Sequence, residues 1–412
     1  MKNGSMENLG VTRWPYLLLG MVTLLFAGII YAWSILKAPL GTEFGWSAAD
    51  LALNFTLTMC CFCLGGLISG LLNKKMSARL RMIISALMVC AGFVIVSRLN
   101  GGSPMLLYLA YGILAGLGIG IVYNVVIAVT NSWFPDKKGL CSGCLMMSFG
   151  FSTLILGNIA GKMIEMPAVG WRTTFLVLGL AIGIVLLLAG LLIKSPDAQV
   201  LEKLNKNKPA TAAAAANDSG LELNGGEMIR RFSFWKVFVF FILLAAVGNA
   251  AISFAKDFSI SVGANESLAV TLVGVLSICN GLGRLLSGAL FDKKGLNFTR
   301  YTASVVVITA SLLSLIAVLG NSFILGLAGL CLCGISYGFC PTLSASWVMA
   351  FYGTKNFALN FSIMNLILIP ASFSATIAGS LITASGSYLS SFILLTACSV
   401  LGLVINFAIR RP

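Results

Sequence analysis

One arginine stands where a charge is costly. From Glu266 to Asp292 the chain reads ESLAVTLVGVLSICNGLGRLLSGALFD, a nearly unbroken apolar stretch with Arg284 inside it. On insertion scales an arginine at membrane depth costs roughly 2.5–3.5 kcal/mol. It persists where something pairs with it. No Asp or Glu stands in the middle of any other apolar stretch. The simplest missing partner is an anion that arrives from outside, a substrate. The planar fork of the guanidinium suits a carboxylate held through two parallel N–H bonds. The structural alternative is an arginine that snorkels or bonds backbone carbonyls. Arg284 lies about eight residues from the end of its stretch, roughly 12 Å along a helix, which strains snorkelling. Asn280, four residues earlier, falls on the same helix face. It can hold the guanidinium and donate to a substrate hydroxyl or keto oxygen. It can also simply bond a neighbouring helix.

Other chemistries are thin. The chain has no histidine, which removes histidine metal sites, Ser-His-Asp triads and histidine proton relays. All eleven cysteines lie in apolar stretches and read as small buried hydrophobes. Cys141-x-x-Cys144 has no second pair, so a metal site there is not expected. We therefore expect no cofactor, no metal and no enzyme activity. A proton relay would need a midplane acid, and none is present. The remaining candidates are peripheral: Asp257 beside Lys256, Glu43, Asp50, or the carboxyl group of the substrate itself.

The elements that must position these residues follow from hydropathy. Of 412 residues, 58% are hydrophobic and 10% charged, against about 25% charged in a soluble domain. Apolar stretches long enough to cross a bilayer fall near 15–38, 48–73, 82–97, 104–132, 139–162 and 172–193. Six more fall near 234–255, 266–291, 301–319, 323–352, 357–384 and 387–409. The expected fold is all-α and integral to a membrane: twelve transmembrane helices in two pseudo-symmetric six-helix bundles. The first apolar run is followed at once by others and reads as a true span, not a cleaved leader. Bundle boundaries are set at 1–194 and 233–412. Between them 195–232 is polar and Ala/Asn/Gly-rich, and reads as a mostly flexible cytoplasmic linker with a short amphipathic piece near 226–233.

The net charge of +14 is a topology signal. With the N-terminus inside, twenty-one Lys and Arg fall in inner segments and five outside. By the positive-inside rule both termini are cytoplasmic. The same distribution argues against nucleic-acid binding. Gly116-x-Gly118-x-Gly120 lacks a strand–turn–helix setting for a dinucleotide, and reads as close helix packing or flexing.

The halves repeat. GLLNKKMSARLR (Gly70–Arg81) follows the second span, and GALFDKKGLNFTR (Gly288–Arg300) follows the eighth. Two such units mark a two-bundle carrier with a midplane site. Gly288-x-x-x-Asp292-Lys293-x-Gly295 resembles the signature loop of the major facilitator superfamily, a resemblance that covers all twelve spans. In the first copy Lys74 stands where the Asp is expected and Ser77 where the Gly is. If the loop acid helps to lock the outward-facing state, only Asp292 can do so. WFPDKKGLCSG (Trp133–Gly143), with YAWSI at Tyr31–Ile35 and EFGWS at Glu43–Ser47, resembles the oxalate/formate antiporter family, related to the monocarboxylate transporters.

That resemblance implies residue roles. An arginine of the eighth span binds the substrate carboxylate in these families, and Arg284 falls on it. Monocarboxylate transporters have Asp-x-x-x-Arg there; this chain has Asn280-x-x-x-Arg284. The oxalate carrier adds a lysine in span eleven, a position that falls here on Met364 or Asn365, so the second cation is gone. A monoanion is favoured over oxalate. Tyr123, Tyr31, Tyr337 and Phe361 align with aromatic pocket positions, although aromatics in apolar helices are commonly core packing. Phe339 and Trp347 are weaker candidates. Lys37 near Pro39 is an anion-attracting residue or an interface anchor. Gly288, Asp292 and Asp136 are assigned to gating or packing. The function implied is proton-coupled symport of a lactate- or pyruvate-like acid by a functional monomer in the cell membrane. Its partners are then the anion, a proton and lipid. The alternatives are oxalate/formate-type exchange without a proton, and an anion channel.

Overall fold

The computed structural model describes residues 13–46, 48–197, 200 and 221–410. The stretch 201–220, on which most of the flexible-linker expectation rests, lies outside the described residues.

Among the described residues, twelve helices cross the molecule. They are α1 (Trp14–Ala32), α2 (Ala48–Leu72), α3 (Ala78–Ser97), α4 (Met105–Ser132), α5 (Gly139–Glu165) and α6 (Gly170–Leu192). The second set begins with α7 (Phe232–Ser253) and continues with α8 (266–294) and α9 (296–320). It ends with α10 (Phe323–Tyr352), α11 (Phe357–Ile382) and α12 (Leu389–Ala408). By length and composition alone eleven spans appear, because α8 and α9 run on as one helix of 55 residues. A straight helix of that length would reach about 80 Å, more than twice a hydrocarbon core. Gly295, at φ 75° and ψ 179°, breaks it. That backbone region is essentially closed to residues with a Cβ. The basic turn expected over Gly288–Arg300 is thus helical on both sides of a single glycine.

Two other boundaries differ from the hydropathy pattern. α3 starts at Ala78, not 82, with the Ser77 hydroxyl accepting the Leu80 N–H as N-cap. Arg81 is buried there because its guanidinium returns to the Ser69 carbonyl at 2.8 Å and to Asn73 Oδ1 at 2.7 Å. The Trp133–Gly143 motif is a turn only to Lys137; its remainder is already helix. The short piece expected near 226–233 forms as Gly225–Ile229, with a capping box between Asn224 and Glu227. Just before it, Glu222 accepts the Thr354 and Lys355 N–H groups and fastens this strip to the α10–α11 turn.

α5 packs along α8, and α2 along α11. These antiparallel pairs join the bundle α1–α6 to the bundle α7–α12. Both are tightest toward the end of the molecule that carries the 221–231 strip, here the linker face. At the crossing of α5 and α8, Cβ atoms at Gly139 and Gly288 would each collide with the carbonyl of the other. The glycines of α4 serve close packing within the first bundle: a side chain at Gly120 would overlap the Phe62 carbonyl of α2.

Regular helix fails in five of the spans. α1 tightens to a 3₁₀ turn over Gly28–Ala32. α4 and α5 widen to π-helix over Tyr108–Ala115 and Thr153–Gly157. α10 carries Pro341, which offers no N–H to the Tyr337 carbonyl. α11 is interrupted between Asn365 and Leu368. Such departures re-aim side chains and are tolerated at membrane depth where they line a cavity.

Candidate functional site

The irregular turns of α1, α10 and α11 border a cavity of about 420 Å³ of empty space, counting its opening. Tyr31 of α1, Phe62 of α2, Tyr123 of α4 and Phe149 of α5 form one wall. Arg284 of α8, Tyr337, Cys340 and Pro341 of α10, and Asn365, Ile367 and Leu368 of α11 form the other. Arg284 is the one charged side chain in that lining, and only 2% of it is exposed. Its helix brings it to the interface on the face that α5 covers.

The guanidinium is held from two sides. Nε donates to Asn280 Oδ1 at 3.3 Å, within α8. Nη1 donates across the interface to the main-chain carbonyl of Met146 on α5. The structural role weighed for an arginine here, bonding to backbone carbonyls, is therefore present alongside the cavity-facing one. Tyr31 interacts with both Arg284 and Tyr337. A second cavity of about 310 Å³ of empty space, counting its opening, is lined by Phe55, Met59, Asn249, Ala371 and Ser372, shares Tyr31, Tyr337 and Leu368 with the first and lies toward the far face. The two tyrosines thus stand where one cavity meets the next.

The aromatic residues are set by mutual packing. Tyr123 meets Phe149 at 5.0 Å and Phe62 at 5.2 Å between ring centroids, both edge-on. Phe361 does not line the cavity. It stands behind Tyr123 at 6.3 Å and stacks on Phe357 at 5.2 Å. Phe339 and Trp347 are buried away from the lining; Trp347 packs on Phe240 and Phe241. Lys37 lies between α1 and the short helix Ala38–Phe44, off the cavity wall. Of the two candidates for the missing lysine position, Asn365 lines the cavity and Met364 does not.

The residues assigned to gating divide. Asp292 accepts the N–H groups of Gly139 at 3.1 Å and Leu140 at 2.7 Å. It caps the first turn of α5 from the opposite bundle, where a carboxylate also meets the positive end of the helix dipole. Asp136 pairs instead with Arg13, within its own bundle. Arg13 also lies 4.8 Å over the Phe134 ring, and Tyr16 stacks on Trp133 at 4.2 Å. The WFPDK stretch therefore staples the start of α1 to the α4–α5 turn. Glu43, one relay candidate, is engaged by Arg172 at 2.8 Å on the far face, and Asp257 sits in the short helix Ala255–Ser261. Asp50 lies in the first turn of α2. None of these three acids lines the cavity.

Phe62, Phe149 and Cys340 line the cavity without having been singled out as contacts. In apolar helices they carry no pattern that separates a wall residue from a core residue. Gly150 was likewise invisible, although a Cβ there would lie 3.3 Å from Arg284 Cζ and Nη1.

Residues 17–368 match the Major Facilitator Superfamily profile. Over 364 residues the chain is 27% identical to the oxalate:formate antiporter of Oxalobacter formigenes, covering 86% of this chain and 82% of that one. It is 26% identical over 361 residues to monocarboxylate transporter 12 of Mus musculus, covering 82% and 72% respectively. Among solved structures, the proton:xylose symporter XylE superposes with a TM-score of 0.73 at 15% identity, over 97% of each chain.

Proposed function

The chain belongs to the major facilitator superfamily, and on that premise we propose that it carries a small monocarboxylate across the membrane by alternating access. One observation carries the proposal: a single buried guanidinium in a cavity whose other walls are aromatic and apolar groups and one neutral amide, Asn365. One cation matches one carboxylate, and the dry wall strengthens the bond. Arg284 grips the carboxylate through its fork, Asn280 orients it, and Tyr31, Tyr123 and Tyr337 close around the short tail. Phe361 supports Tyr123 from behind. The similarity to an oxalate:formate antiporter and a monocarboxylate transporter supports the carboxylate class. The missing lysine's position falls on Met364 or Asn365, neither of them a cation, which supports a monoanion.

For coupling, we propose that a proton accompanies the anion as its own acid, because the lining offers no carboxylate or imidazole to relay it. Liposomes given an inward lactate gradient should then show external alkalinisation. A second reading, exchange of one anion for another, is favoured by the bond between Arg284 and Met146, which ties the two bundles together beside the cavity. Flux unaffected by proton gradients would select it.

The test of the site is uptake by purified protein in liposomes, alongside thermal stabilisation by lactate, pyruvate, acetate, formate and oxalate. Arg284→Lys keeps the charge and loses the fork. A charge-assisted hydrogen bond contributes about 1.5–3 kcal/mol, so uptake should fall at least tenfold. Normal lactate uptake by this variant would rule out forked recognition.

A further inference from the structure

The bond from Arg284 to Met146 joins a side chain of one bundle to the main chain of the other. A helix carbonyl is ordinarily shielded by the side chain four residues on, which leans back over it. Four residues after Met146 stands Gly150. A Cβ there would press on Arg284 Cζ and Nη1 at 3.3 Å. Gly150 is thus a notch through which the guanidinium reaches the carbonyl. Nearer the linker face, Gly143 lets α8 approach so closely that a Cβ would meet the Arg284 carbonyl at 2.8 Å. The notch and the close crossing lie on one face of α5.

We propose that Arg284, the Met146 carbonyl and Gly150 form a tether that holds the empty carrier closed at its linker face, and that an arriving carboxylate unfastens it. The inference rests on the carboxylate reading above and adds what the empty protein does. With no anion bound, Nη1 spends its donor on α5 and ties the bundles together. A carboxylate in the cavity competes for the same donor and neutralises the same charge. Withdrawal of Nη1 from Met146 leaves the carbonyl its helical partner and frees α5 to move relative to α8. A ligand shifts an equilibrium only through its differential affinity for the two states; here the difference is the tether, intact in one and surrendered in the other. The empty carrier therefore turns over more slowly than the loaded one, and exchange outruns net flux whether or not a proton travels with the anion.

Labelled lactate in proteoliposomes of the full chain tests this. In the unmodified protein, exchange at equal lactate on both sides should be at least tenfold faster than efflux into lactate-free buffer. Gly150→Ala keeps both Arg284 and Asn280 but crowds the guanidinium at 3.3 Å, so that it must shift and its bond to Met146 loosens. Efflux should rise at least threefold while exchange stays within threefold. Equal exchange and efflux in the unmodified protein would overturn the tether and leave the carboxylate carrier standing. An unchanged ratio in Gly150→Ala with exchange intact would do the same. Absence of both fluxes would remove the carboxylate reading, and the tether with it. Should Gly150→Ala fail to fold, amide exchange over α5 in the unmodified protein decides. It should quicken with saturating lactate, and unchanged or greater protection overturns the tether.

Discussion

Asn365 shows how a single side chain sets the charge of the site. It lines the cavity on the same wall as Arg284 and is one of the two positions, with Met364, on which the lysine of the resembled oxalate carrier falls. Asn365→Lys would place a second cation on the wall. We expect the preference for oxalate over lactate, measured by competition against lactate uptake, to rise about tenfold, the smaller end of what a charge-assisted bond contributes. The same substitution leaves two unpaired cations in the empty cavity and should lower the melting temperature without ligand. Cys340 on that wall and Phe149 on the facing one present no charge, so their exchange for similar apolar residues changes fit and not ion class.

At the scale of elements, two glycines decide what the helices can do. Gly295 lets one continuous helix become α8 and α9. Gly295→Ala forces a Cβ into a region that costs about 1–3 kcal/mol, and thermal unfolding in detergent should report a lower midpoint. Gly288 lets α8 touch α5 backbone to backbone. Gly288→Val cannot be seated at that crossing, so closure of the linker face should fail. Lactate binding should survive while uptake falls at least tenfold, and a cysteine placed near Gly139 should label faster. The repeat-related crossing of α2 and α11 is built without an acid. There Gly70 abuts the Ala358 carbonyl, and Asn124 Nδ2 donates to that carbonyl at 2.8 Å. Lys74 in place of the loop acid is consistent with that difference between the halves.

For the whole molecule, three polar contacts between bundles end on main-chain groups, beside the side-chain contacts of Tyr31 with Arg284 and Tyr337 and of Thr342 with the Met146 sulfur. Arg284 reaches Met146, Asp292 reaches Gly139 and Leu140, and Asn124 reaches Ala358. Among the described residues, both salt bridges lie inside the first bundle. An interface of this kind carries no deeply buried ion pair to break and reseal at each turnover, a step with a steep desolvation cost. The basic residues gather on the linker face, so we expect a fluorescent reporter fused to the C-terminus to light up and a periplasmic phosphatase fused there to stay silent. The opposite result would invert the assignment of sides.

The sequence alone determined the class of fold, because hydropathy over about twenty residues is a local property that a bilayer enforces on every span. It also determined that Arg284 and Asn280 share one helix face, since four-residue spacing fixes that without any tertiary contact. Where α8 ends was less legible, because one glycine with φ 75° performs a turn that a polar loop was expected to make. Which aromatics face the cavity was decided by packing. Tyr123 lines it and Phe361 backs it, yet both are aromatic residues in apolar helices. Only the tertiary structure could join Arg284 to the Met146 carbonyl, 138 residues away, through the space left at Gly150. A backbone acceptor has no letter in the sequence, and the notch that exposes it is the absence of a side chain.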